Sequence, residues 1–199
     1  MQYGTFRFVT TARDPRTTRS DQAILEATRE ILAEVGVRKL TVEGVAARSG
    51  VAKTTIYRRF RSKEELALSV LIDMVEQFSE VPDIGSAEQE LVIFVGNAIR
   101  VLGTTLLGRV MQGVVSELAA DPALAAAFRE RVVARRQAEM RALVERGVAR
   151  GELRPDTDPE LLHELLFGPV YYRLFLSGQP LEPALAERVV AAVFPAFAA

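Results

Sequence analysis

The segment TVEGVAARSGVAKTTIYRRF, residues 41–60, constrains the fold of this chain more than any other stretch. Three of its positions carry complementary geometric duties. Ala46 is small where a second helix would cross a first, Gly50 tolerates the positive φ of a tight turn, and Ile56 faces an apolar side chain back onto the first helix. Val42, Val45, Val51 and Phe60 complete a small core around them. Two short helices meeting through a glycine turn are thereby specified, with Thr41 placed to cap the first. The same packing leaves Lys53, Thr54, Thr55, Tyr57 and Arg58 on the outward surface of the second.

The rest of the chain carries helix punctuation and almost no strand alternation, so an all-α fold is expected. Ser20 fits an N-cap for a helix bearing Ile24, Ala27, Ile31 and Val35, with Gly36 as its stop. Ser62 with Glu65, and Ser86 with Gln89, have the spacing of capping boxes. Asp121-Pro122 and Asp158-Pro159 each set a capping carboxylate before a proline suited to the first helical position, and Gly151 and Gly178 are matching stops. The expected organisation is a disordered basic arm over residues 1–19, a three-helix unit over 20–66, and a larger helical part over 67–199 entered through a fourth helix.

Composition excludes several classes. The chain has no cysteine, so disulfides and thiolate zinc sites are impossible, and a cytoplasmic location fits best. The first twenty residues hold no continuous apolar run of the length a secretory signal needs. Arg100 and Arg109 interrupt the apolar region Leu91–Ser116, and each would cost about 2.5–3.5 kcal/mol at mid-bilayer. That region is expected to be a buried protein helix, with no membrane partner. No GxSxG, GxGxxG or GxxxxGK[ST] motif occurs, and His163 is the single histidine, so no catalytic residue, cofactor or metal site is expected. Arg129, Arg131, Arg135 and Arg136 are expected to form a solvated face paired with Glu130 and Glu139.

Charge divides along the chain although its net value is only −1. Residues 1–70 hold 13 basic against 8 acidic side chains, and residues 71–199 hold 12 against 18. The N-terminal part is therefore suited to a polyanion. The outward residues of the second short helix fit that reading: threonine and tyrosine hydroxyls donate to phosphate, a threonine methyl can meet thymine, and arginine can bind guanine through two hydrogen bonds. Arg13, Arg16 and Arg19 could supply an arm entering the minor groove.

With these residues in register, residues 20–70 resemble the DNA-binding part of the TetR family of bacterial transcriptional regulators. The matching segments are SDQAILEATREILAEVG, LTVEGVAARSGVAKTTIYRRF and SKEEL. The resemblance implies that Lys53, Thr54, Thr55, Tyr57 and Arg58 contact operator DNA, and that Thr41 and Lys63 grip phosphates at the starts of their helices. Many relatives carry glycine where this chain has Thr54, which adds a side chain near the bases.

For residues 71–199 the resemblance is one of outline, and it implies a dimer built on the last two helices with a small-molecule effector bound among the middle ones. Leu162, Leu165, Leu166 and Pro169 form an apolar stripe, and Val189, Val190, Val193, Phe194 and Phe197 crowd the final helix. The resemblance makes these the candidate interface residues, whereas the residues alone favour completion of the protomer's own core. Candidate pocket residues are Phe94, Leu102, Met111, Val115, Phe128, Met140, Phe167 and Tyr171, with Asn97 and Arg109 as polar anchors. Arg109 is expected to be enclosed and paired with a protein carboxylate, with a ligand anion as the alternative partner. The expected function is a homodimeric regulator that binds a palindromic operator and represses until an apolar or amphipathic ligand releases it. Control by a protein partner, activation, and an enzyme on a helical scaffold are the alternatives.

Overall fold

The structure, a computed structural model, describes residues 15–76 and 81–199. It is all-α, and among the described residues the only extended pairing is an isolated antiparallel bridge between Leu153 and Ala198. In chain order the helices are α1 (Pro15–Lys39), α2 (Val42–Ser49), α3 (Lys53–Tyr57), α4 (Lys63–Glu76), α5 (Ala87–Thr104), α6 (Leu106–Val115), α7 (Pro122–Phe128), α8 (Ala134–Ala149), α9 (Pro159–Tyr172) and α10 (Ala184–Val193). A π-helical turn, Arg129–Val133, joins α7 to α8, and another, Arg173–Ser177, ends α9.

The helix boundaries follow the side-chain chemistry. Thr41 accepts a hydrogen bond from the Gly44 amide at 3.0 Å and starts α2, and Gly50 closes it at φ 69° with its N–H on the Ala46 carbonyl. Asp121 and Asp158 cap α7 and α9 with a proline following each, while Gly151 and Gly178 are left-handed stops. Gly36 leaves the helical conformation inside α1, at φ 73° and ψ 177°, where the helix was expected to stop.

Two expectations at helix starts are corrected. Ser20 is not an N-cap, because α1 already begins at Pro15, whose fixed φ suits a first helical position. Residues 15–19 of the expected arm thus belong to α1, while residues 1–14, Arg13 included, lie outside the described residues. At α4, Ser62 accepts from the Glu65 amide at 3.2 Å, but the Glu65 carboxylate takes the amide of Arg61, one residue before the expected partner, at 2.5 Å.

α2 and α4 pack on α1, α6 packs on α1, α4 and α5, and α10 packs on α5 and α9. One core runs through both parts of the chain, from Ile24, Leu40, Val45 and Ile56 to Leu91, Met140, Leu166 and Val190. Each such side chain contributes about 1.5–3 kcal/mol of burial. α5 and α6 meet at 86°. Glycine is required in this corner, because a Cβ at Gly108 would lie 1.9 Å from the Leu102 carbonyl oxygen. Further along α6, a Cβ at Gly113 would lie 2.5 Å from Val37, so the helix sits directly on the end of α1. The Leu91–Ser116 region is therefore two helices, and no single helix among the described residues is long and apolar enough to cross a membrane.

A buried ion cluster fastens the start of α5 to the end of α8. The fully buried Glu90 carboxylate accepts from Arg146 at 2.9 Å, from Arg150 at 3.1 Å and from the Ile84 amide at 3.1 Å. Asp83 and Glu152 also hold Arg150, at 2.9 and 2.5 Å. Glu152 in turn accepts from the Ala87 amide through its side chain and from the Ala199 amide through its carbonyl. These bonds hold the Glu152 carboxyl below its ordinary pKa, chiefly through the Ala87 amide.

Candidate functional site

α3 is only five residues long and has no side-chain cap, so its position depends on tertiary support. Ile56 is fully buried beneath it, and Phe60 anchors the following turn. Arg59, which the sequence reading did not single out, forms a largely buried pair with Asp21 of α1. Arg48 clamps α2 to α1 through two bonds to Glu34, at 2.7 and 2.9 Å, and they hold the Glu34 carboxyl below its ordinary pKa. The scaffold beneath α3 is thus fixed by apolar contact and by arginine clamps.

On this support Lys53, Thr54, Tyr57 and Arg58 are exposed, with Tyr57 at 51%, and Thr55 is half-buried. Lys53 Nζ lies 3.0 Å from a Glu43 oxygen at the start of α2, and its hydrogen bond lowers the Glu43 pKa. Thr41 is exposed, with its hydroxyl oxygen occupied by the Gly44 amide. Lys63 donates to the Arg38 carbonyl at 3.0 Å, beside Glu64 at 3.8 Å. The seven residues singled out for DNA therefore occupy α3 with its C-cap Arg58 and the starts of α2 and α4.

The candidate pocket residues are dispersed. Phe94, Met111, Met140 and Phe167 are buried core, and Asn97, Val115, Phe128 and Tyr171 are half-buried. Arg109 is exposed rather than enclosed, and among the described residues it pairs with no carboxylate; the 86° turn places its helix face outside the core. With Leu102 it lines a cleft of about 430 Å³ between the α5–α6 corner and the turn after α9. Gln112, Arg173, Leu174 and Leu181 contribute to the same walls.

A second feature escaped the sequence reading except in its parts. His163, Phe167, Tyr171 and Phe175, four residues apart along α9 and its π turn, form a column with successive ring centroids 4.5, 5.8 and 5.9 Å apart. Phe94 meets Phe167 edge-on at 5.4 Å, and the Arg136 guanidinium lies 5.2 Å from the Phe94 ring centre. Arg135 and Arg136 both donate to Glu139, at 3.1 and 2.8 Å, so these two arginines are half-buried packing groups and not a solvated face. Burial pushes the Tyr171 phenol pKa up.

His163 is pushed down to about 4 by burial, with the Arg136 charge adding to the effect and Glu139 opposing it. Its buried Nε2 has no hydrogen-bond partner among the described residues. A base whose folded pKa lies below its unfolded value binds fewer protons when folded, so stability falls as pH drops from about 6.5 towards 4. The chain has one histidine, so the part of the loss between pH 6.5 and 5 that disappears in His163→Phe reports this group. After allowance for partial exposure the expected loss is about 1 kcal/mol, and urea melts of His163→Phe should show a flatter profile across that window.

The candidate interface residues divide by depth. Leu162, Leu166, Val189, Val190 and Phe197 are buried in the protomer's own core and offer no free surface. Leu165 and Pro169 are exposed, and Val193 and Phe194 are half-buried. The exposed apolar line on α9 consists of Leu161, Leu165, Pro169, Tyr172 and, on the π turn, Leu176 at 76%. Ala191 and Ala192 of α10, and Pro195 just after it, are exposed as well. Among the described residues no group of three acidic or histidine side chains is placed to hold a metal ion.

Comparison with known proteins agrees with this architecture. Residues 24–70 match the family model of bacterial regulatory proteins, tetR family, and residues 81–193 match the tetracyclin repressor-like C-terminal domain. The chain is 31% identical to the HTH-type transcriptional regulator YdeS of Bacillus subtilis, over 90% of each protein. It is 30% identical to the DNA-binding transcriptional repressor TetR of Mycobacteroides abscessus, over 84% of this chain and 88% of that one. The crystal structure of the TetR family transcription regulator SCO0332 superposes with a TM-score of 0.77 at 31% identity, covering 89% of this chain and 97% of that one. The chain belongs to the TetR family: it is a DNA-binding transcriptional regulator, and not an enzyme.

Proposed function

We propose that this regulator binds a palindromic operator as a homodimer, represses transcription from it, and is released by a small amphipathic ligand held in the C-terminal part. The observation that carries the reading is the exposed face of α3, where Lys53, Thr54, Tyr57 and Arg58 stand over a rigidly clamped base. One five-residue helix reads too few base pairs alone, whereas two related by a two-fold axis read a palindrome with half-sites about 34–36 Å apart. The exposed line Leu161, Leu165, Pro169, Tyr172 and Leu176 supports dimerisation through α9, because contiguous apolar surface of that kind is seldom left in water. Lys53 is held by Glu43 in the free protein, so engaging phosphate would exchange a carboxylate for a polyanion.

Selection of bound duplexes from a random library, followed by salt titration of the winner and a scrambled control, tests this reading. A palindromic winner with a large affinity ratio supports it, and weak binding with no enriched sequence refutes it. On the winning duplex, Arg58→Ala should relax discrimination at one base pair by about 1–3 kcal/mol, while Tyr57→Phe should weaken specific and random duplexes alike. Equal losses on both duplexes for Arg58→Ala would assign that arginine to phosphate instead of a base.

A further inference from the structure

We infer that the cleft between the α5–α6 corner and the turn after α9 binds a small amphipathic anion, its acidic group on Arg109 and Arg173 and its apolar body on Leu102, Leu174 and Leu181. This rests on the reading of the C-terminal part as effector-binding and adds the chemical class of the effector.

Charge and pairing carry the inference. Residues 71–199 hold 18 acidic against 12 basic side chains, yet no acidic residue lines this cleft and two arginines do. Several arginines of the fold are committed: Arg29, Arg48, Arg59, Arg136, Arg146 and Arg150 each pair with a carboxylate. Arg109 pairs with none among the described residues. Arg173 spends one donor on the Pro180 carbonyl at 2.9 Å, which fixes the guanidinium in the wall and leaves its other N–H groups for a ligand. Gln112 secures the opposite side by donating to the Leu174 carbonyl at 2.7 Å. α6 begins in the cleft, so its positive end adds to the two guanidinium charges. At about 430 Å³ the space matches a small organic molecule, and its leucines favour one with an apolar body.

The test uses two fluorescent probes of similar shape, anionic 8-anilino-1-naphthalenesulfonate and neutral N-phenyl-1-naphthylamine, titrated into the full chain. The sulfonate should bind about tenfold more tightly than the neutral probe, and Arg109→Gln should remove that advantage while Arg109→Lys retains part of it. Arg109 is exposed, so the melting temperature of both variants should match that of the parent and exclude misfolding as the cause. Equal affinity for the two probes, absence of sulfonate binding, or sulfonate binding indifferent to Arg109→Gln would overturn the inference. Duplex titration separates it from the broader reading. Sulfonate bound through Arg109 without any change in duplex affinity would uphold the cleft and refute ligand release. Release by the neutral probe alone, unaffected by Arg109→Gln, would do the reverse.

Discussion

Glu90→Ala is expected to lower the free energy of unfolding by about 3 kcal/mol, towards the low end of the 3–5 kcal/mol range for breaking a buried ion pair. The Glu90 carboxylate is fully buried and serves Arg146, Arg150 and the Ile84 amide together. Alanine removes an acceptor from all three donors. Arg150 keeps Asp83 and Glu152, but Arg146 keeps only Asp83, at 4.0 Å. Water limits the damage, because the two arginine side chains are 30% and 23% exposed. Glu90→Gln retains an acceptor of the same shape and should cost about half as much. Urea melts with an unchanged m-value check both numbers, and a loss below about 1 kcal/mol would show that water and the neighbouring acids replace the carboxylate in full. The cluster joins α5 to α8, whereas the proposed DNA face lies on α2 to α4, so duplex affinity measured well below the melting temperature should hardly change.

The contrast between Glu90 and Ala46 explains how much of the fold could be read in advance. Ala46, Gly50 and Ile56 act on one another across ten residues, so the helix crossing and its turn are written locally, and Thr41 is a cap that needs only its own helix. Nothing local distinguishes Glu90 from any other acid in the first turn of a helix, because its partners lie 56 and 60 residues away. At α1 Ser20 has the chemistry of an N-cap, but the helix already begins five residues earlier, at Pro15. The most instructive difference is in α9, where ELLHELLF places leucines in adjacent pairs. Each pair offers one residue to either side, so periodicity identifies a helix without fixing its rotation. Packing against α8 and α10 then buries Leu162 and Leu166 and leaves Leu161 and Leu165 outside. The candidate pocket was scattered for a related reason: large apolar side chains at helical spacing fill cores as readily as they line cavities, and the cleft walls include a turn and glycines that periodicity does not report.

That rotation of α9 decides where a dimer must be broken. Leu165→Glu combined with Tyr172→Glu is expected to give monomers whose affinity for the selected palindrome falls by about a thousandfold, leaving chiefly the non-specific phosphate attraction. The two side chains are 45% and 59% exposed, so the substitutions bury no charge within the protomer and its unfolding free energy should change by about 0.5 kcal/mol or less. In the proposed dimer, four carboxylates would instead face one another across a two-fold axis in apolar surroundings. Leu162→Glu is the informative control. Its side chain is fully buried, so it should unfold the protomer and not merely separate two folded ones. Sedimentation velocity distinguishes the outcomes, and duplex anisotropy on the same samples links assembly to recognition. A double variant that stays dimeric and keeps its operator affinity would move the interface off α9, and the exposed small residues Ala191, Ala192 and Pro195 would be the next surface to alter.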